Sequence, residues 1–171
     1  LIKQFLTDVA WGELDYLIID LPPGTGDAAL TLTQLAPLSG AVIVTTANDL
    51  SLIDARKGLQ MFNKVSVPVL GIVENMSYFT PPELPDKQYY LFGKDGGKRV
   101  AKELGVEFLG EVPIDPLMAD YGDRGEPIIV VSPHSPTATA FKNISNTVIR
   151  RLATLSVQAP SPVDANITWV T

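Results

Sequence analysis

The sequence predicts an α/β protein with an open, doubly wound, mostly parallel sheet and helices on both faces. Three observations carry that reading. Short runs rich in β-branched residues recur along the chain, they are continuously apolar and not alternating, and stretches with helical spacing separate them. Continuous runs are what strands covered on both faces require.

The elements follow in order. Residues 1–9 are apolar at 1, 2, 5, 6 and 9, which predicts a helix. Tyr16-Leu17-Ile18-Ile19-Asp20 is the first predicted strand. Residues 27–35 open on Asp27, a capping-type residue, and predict a helix. Ala41-Val42-Ile43-Val44-Thr45 is the second strand, and residues 51–65 are a helix with Leu52, Ile53, Leu59 and Phe62 as its apolar positions. Residues 69–73 form the third strand, 97–104 a short helix and 108–112 the fourth strand. A fifth strand is expected at 127–131, with Pro127 at the first position, where a strand tolerates it. The longest helix, 137–155, places Phe141, Ile144, Val148, Ile149 and Leu152 on one side. Residues 1–155 are thus expected to form one domain, with 156–171, which contain Pro160 and Pro162, as a flexible tail.

Composition removes several function classes. Thirteen Lys and Arg against nineteen Asp and Glu leave a net charge of −6, unsuited to nucleic acid or anionic membranes. With no cysteine, the chain offers no disulfide, thiolate zinc site, cysteine nucleophile or cysteine-held iron–sulfur cluster. A single histidine, His134, excludes a multi-histidine metal site. No apolar run reaches the roughly 20 residues of a membrane span, and residues 1–6 lack the basic region and apolar core of a signal peptide. A cytoplasmic location is the expectation. The chain does not begin with Met, so a longer parent and organellar import both stay open.

In doubly wound sheets ligands bind at the carboxyl ends of the strands. The first such end reads Asp20-Leu21-Pro22-Pro23-Gly24-Thr25-Gly26-Asp27. An acid there can hold Mg²⁺ directly or through its water, and the glycines let backbone N–H groups approach a phosphate. Read from the residues alone, the segment serves equally well as a ligand-free turn. Glu74-Asn75-Met76 follows the third strand, and the Asn75 amide can read a purine edge or satisfy its own turn. Pro113-Ile114-Asp115 follows the fourth and could line a base pocket. Residues 93–99 are not a phosphate loop, because Phe92 and Arg99 stand where Gly and Ser or Thr are needed. No G-x-S-x-G elbow is present.

The run from Leu14 to Asp27 resembles the signature of the Mrp/NBP35-type P-loop ATPases, in the deviant-Walker class with MinD and ParA. Val67-Pro68-Val69-Leu70-Gly71-Ile72-Val73-Glu74-Asn75-Met76-Ser77-Tyr78-Phe79, Phe92-Gly93, Phe108-Leu109-Gly110-Glu111-Val112-Pro113, and Gly122-Asp123 with Gly125 and Pro127 match in order over about residues 1–150. The resemblance implies an ATP-binding, ATP-hydrolysing homodimer that carries iron–sulfur clusters to apoproteins. It implies that Asp20 is the Mg²⁺-associated acid, acting through water, and Gly24 the switch glycine near the γ-phosphate. It implies that Asn75 reads adenine while Pro113, Ile114 and Asp115 flank the base.

Two departures qualify the match. The family's phosphate loop precedes the region present here, so this chain is expected to be the C-terminal part of an ATPase and inactive by itself. Where many members carry C-x-x-C, this chain has Thr80-Pro81-Pro82-Glu83-Leu84-Pro85-Asp86-Lys87, so a cluster would depend on cysteines elsewhere in the parent. The alternative expectation is a non-catalytic, nucleotide-dependent scaffold of the MinD/ParA class. A tail without Lys or Arg and the −6 charge set aside its membrane and nucleic-acid versions.

Overall fold

The computed structural model describes residues 2–21 and 27–158. Ten elements follow in chain order: α1 (Ile2–Thr7), α2 (Asp27–Leu35), β1 (Ala41–Thr45), α3 (Asp49–Lys64), β2 (Val69–Glu74), α4 (Gly96–Leu104), β3 (Phe108–Glu111), α5 (Leu117–Asp123), α6 (Ile128–Val131) and α7 (Pro136–Gln158). The three strands lie in the order β1-β2-β3, both pairs parallel, with Thr45 opposite Glu74 and Glu74 opposite Glu111. Helices α3 and α4 make the crossovers, so the described sheet has the expected parallel α/β winding.

Helices cover both faces. Leu52, Ala55, Leu59 and Phe62 of α3 join Val100 and Ala101 of α4 against Ile43 and Ile72 on one side. On the other, Phe141, Ile144 and Val148 of α7 pack on Val73, Leu109 and Val112. Central β2 is buried along its whole length. Among the described residues β1 is the edge strand and is covered on one face alone: Ile43 is 7% exposed, whereas Val44 is 61% exposed. The expectation of two-sided burial therefore holds for β2 and not for β1.

Two predicted strands are corrected. Residues 16–20 are irregular and exposed, with Ile18 at 91%. An apolar run expresses a preference for burial, but a strand also needs a partner edge, and no described strand supplies one. Residues 127–131 form a helical turn, α6, entered from an extended Pro127 and packed on α7. Ile128 alone is buried there. A four-residue apolar run carries no period by which helix and strand could be told apart, and packing decides.

Helix α5 is not predicted from the sequence, and the other differences lie at the ends of elements. Helix α3 starts at Asp49 because the Asn48 side chain accepts from Leu50 N–H, a cap three residues ahead of Ser51. Helix α7 runs on to Gln158. Residues 159–171 of the expected tail lie outside the described residues.

Candidate functional site

The carboxyl ends of the three strands are tied together by main-chain hydrogen bonds. Asn75 N–H donates to Thr45 O at 2.7 Å, joining the ends of β2 and β1. Val112 N–H donates to Glu74 O at 2.9 Å, and Ser77 N–H returns a bond to Val112 O at 3.0 Å. Ile114 N–H then donates to Tyr78 O at 2.7 Å. Pairing thus continues past the strand ends, and it holds the 74–78 and 111–115 turns side by side above the sheet. That is the crevice where the open α/β rule places a ligand.

Within it the Asn75 side chain is half-buried, and its Oδ1 accepts from Met76 N–H at 2.9 Å. Met76 takes a left-handed φ of +51°, which costs a non-glycine residue on the order of 1 kcal/mol or more. The Asn75 amide satisfies its own turn through its oxygen, and its NH₂ has no acceptor among the described residues, so a donor is left for a ligand.

Pro113 is buried and Ile114 half-buried. The Asp115 carboxylate is committed: Oδ1 accepts from Leu117 N–H at 3.0 Å and Oδ2 from the Thr137 hydroxyl at 2.8 Å. It therefore starts α5 and tethers α7 to the turn. What the 113–115 segment can present to a base is backbone and apolar surface.

Asp20 stands apart. It is exposed in the irregular 11–20 segment and makes no hydrogen bond or ion pair with another described residue. A carboxylate left open to solvent fits a hard cation such as Mg²⁺, which keeps several waters and needs one or two protein oxygens. Gly24 lies outside the described residues. The structure pairs the turn that holds Asn75 with the turn that holds Pro113, Ile114 and Asp115, through Ser77 N–H on Val112 O and Ile114 N–H on Tyr78 O, and shows no contact from Asp20 to these residues. No group of three or more His, Cys, Asp or Glu suited to a metal occurs among the described residues. With no thiolate in the chain, the residues present do not fit an iron–sulfur cluster.

A cleft of about 520 Å³ flanks the turns along β3, lined by Tyr78, Glu111, His134, Thr139, Asn143 and Ile144 among others. Burial holds the Glu111 carboxyl above its usual range; Glu74 and Asp95 add to this and Lys98 and Lys94 oppose it. Burial first, then Glu111 and Tyr90, push the Tyr78 hydroxyl up as well. Sequence reading gave Glu111 and Tyr78 no role at the crevice, although both lie within segments that carry the family resemblance.

Strand ends tied together at the carboxyl edge of a parallel sheet, with helices on both faces, define an open, doubly wound α/β domain. A family model described as ParA, NUBPL iron-transfer P-loop NTPase, matches residues 1–149. The chain belongs to that family. It is 56% identical over 153 residues to the iron-sulfur cluster carrier protein of Synechocystis sp., an alignment covering 90% of this chain and 43% of the relative. It is 46% identical over 151 residues to the iron-sulfur cluster transfer protein NUBPL of Mus musculus, covering 88% and 47%. The chain therefore spans less than half the length of these relatives. A nucleotide-binding protein from Archaeoglobus fulgidus, solved in complex with ADP, superposes with a TM-score of 0.67 at 44% identity, covering 81% of this chain and 55% of that one. The cell-division ATPase MinD of Pyrococcus furiosus, at 21% identity and a TM-score of 0.64 with 87% and 57% covered, shares the fold.

Proposed function

We propose that this chain is part of an ATP-binding and ATP-hydrolysing iron–sulfur cluster carrier that works as a homodimer and delivers its cargo to apoproteins. The observation that supports the reading is the pairing of the 74–78 and 111–115 turns at the carboxyl edge of the sheet, one carrying Asn75 and the other Pro113, Ile114 and Asp115. The ADP-bound relative and the carrier names of the curated relatives support it.

In this reading the Asn75 NH₂ donates to a ring nitrogen of adenine and the 113–115 backbone walls the base. Asp20 orients a water of Mg²⁺, and Gly24 lets its N–H approach the γ-phosphate. The metal would neutralise charge building on the phosphates during transfer. The cluster is cargo, held by thiolates from outside this sequence. A cytoplasmic site of action is proposed with it; no described helix is long and apolar enough to cross a membrane.

The cysteine-free 80–87 segment favours a second reading, a nucleotide-dependent scaffold that carries no cluster. Iron content of freshly purified whole protein separates the two. The test of the leading reading is calorimetry of Mg-ATP binding to the whole protein, with turnover of Asp20→Ala measured alongside. Binding together with a loss of Mg-dependent turnover of at least about tenfold, larger than the loss of affinity, is expected. No binding, or equal losses, would overturn it.

A further inference from the structure

The acid that closes β2 and the glycines that open α4 meet in one buried contact. Glu74 is 0% exposed, and its carboxylate accepts the Ser77 hydroxyl at 2.6 Å and the Gly97 N–H at 2.6 Å. The anion that a helix N-terminus attracts is here supplied by the protein itself, at the N-terminus of α4.

We infer that Glu74 is a positioning residue for Asn75: through Ser77 it fixes the turn that aims the Asn75 amide, and it is itself locked by Gly97. The inference rests on the base-reading role proposed for Asn75. The turn is pinned on the β1 side by Asn75 N–H on Thr45 O and on the β3 side by Ser77 N–H on Val112 O. Between those pins lie only Asn75 and the left-handed Met76. The Ser77 hydroxyl on Glu74 is the side-chain bond that closes the turn back onto the strand. The contact needs a glycine at position 97, since a Cβ there would lie 3.1 Å from both the Cβ and the Oε2 of Glu74. A buried acid deprived of these donors would be left unsatisfied, so the arrangement has one low-energy form. One buried side chain thus links the start of α4 to the direction in which Asn75 points.

The readout is base selectivity, the ratio of the Kd for GTP to that for ATP, measured by calorimetry on the whole protein. Adenine offers an acceptor at N1 where guanine offers a donor, so a fixed amide donor discriminates between them. Asn75→Ala is expected to lower the ratio about fivefold, Ser77→Ala to lower it similarly, and the double variant no further than either. Glu74→Gln, whose amide can accept from Gly97 N–H and donate to Ser77 Oγ, is expected to keep the ratio where Glu74→Ala loses it. A ratio unchanged in Ser77→Ala but lowered in Asn75→Ala would overturn the positioning role and leave base reading standing. A ratio unchanged in Asn75→Ala would overturn base reading, and the positioning role with it. A Ser77→Ala protein that melts lower yet keeps its selectivity would show that the bond is structural and sink the inference.

Discussion

The Thr137 hydroxyl, 1% exposed, donates to the Asp115 carboxylate at 2.8 Å and so fastens the first turn of α7 to the segment leaving β3. The same carboxylate caps α5 through Leu117 N–H. Thr137→Val keeps the shape and removes the donor, leaving Asp115 with its helix bond alone. The expected cost is about 1–2 kcal/mol. Asp115→Ala removes the cap and strands a buried hydroxyl, and should cost more, about 2–3 kcal/mol. Urea unfolding of both variants checks the order.

Gly96 opens α4, where alanine would ordinarily gain up to about 1 kcal/mol of helix propensity. A Cβ at that position would lie 2.5 Å from Ala47 O and 2.7 Å from Ala47 Cα, both backbone atoms that cannot turn aside. Close contact outweighs propensity here. Gly96→Ala is expected to destabilise by about 2 kcal/mol or more, seen as a lower urea midpoint at unchanged slope.

What the sequence shows of this molecule depends on whether a residue's neighbours are local. The runs 41–45 and 69–73 are read correctly as strands because β1 and β2 pair with each other and with the crossover helix between them. The run 16–20 is as apolar, yet its strand needs an edge that no described element supplies, and periodicity contains no information about that edge. The crevice is half legible. Asn75 and residues 113–115 are singled out because they follow strands, and the structure pairs the two turns that carry them. The Glu74 contact with Gly97 spans 23 residues and is invisible to any local motif, so the Gly93–Gly97 stretch reads as a polar turn with no stated reason for its glycines.

Strand β1 offers a direct test of one-sided burial. Ile43, 7% exposed, packs on α3, while Val44, 61% exposed, faces away from it. Ile43→Ala should cost about 2–4 kcal/mol for lost transfer energy and a residual cavity. Val44→Thr in this chain should stay within about 0.5 kcal/mol, since Thr keeps the β-branched shape and gives up little burial. Equal costs at the two positions would mean that the outer face is covered as well.

Stability should respond to pH with opposite signs at two acids. The Glu111 carboxyl is held above its ordinary value of 4.5, first by burial and then by Glu74 and Asp95, so its folded-state value exceeds its unfolded one. Its contribution is therefore fully present below the unfolded value and is lost as pH rises through the raised folded value. Glu103 is the reverse case. Its hydrogen bonds from Arg56, at 3.1 and 2.7 Å, hold it below 4.5. Its contribution is present above that value and fades as pH falls, and because the pair is exposed it also weakens with salt. Glu111→Gln, which mimics the protonated acid, should accordingly be more stable than the parent chain near neutral pH and lose that advantage below about pH 4. Glu103→Gln should be less stable near neutral pH at low salt and converge with the parent chain in acid. Denaturant midpoints taken across that pH range would read both, and an advantage of Glu111→Gln that grows in acid would reverse the assignment at Glu111.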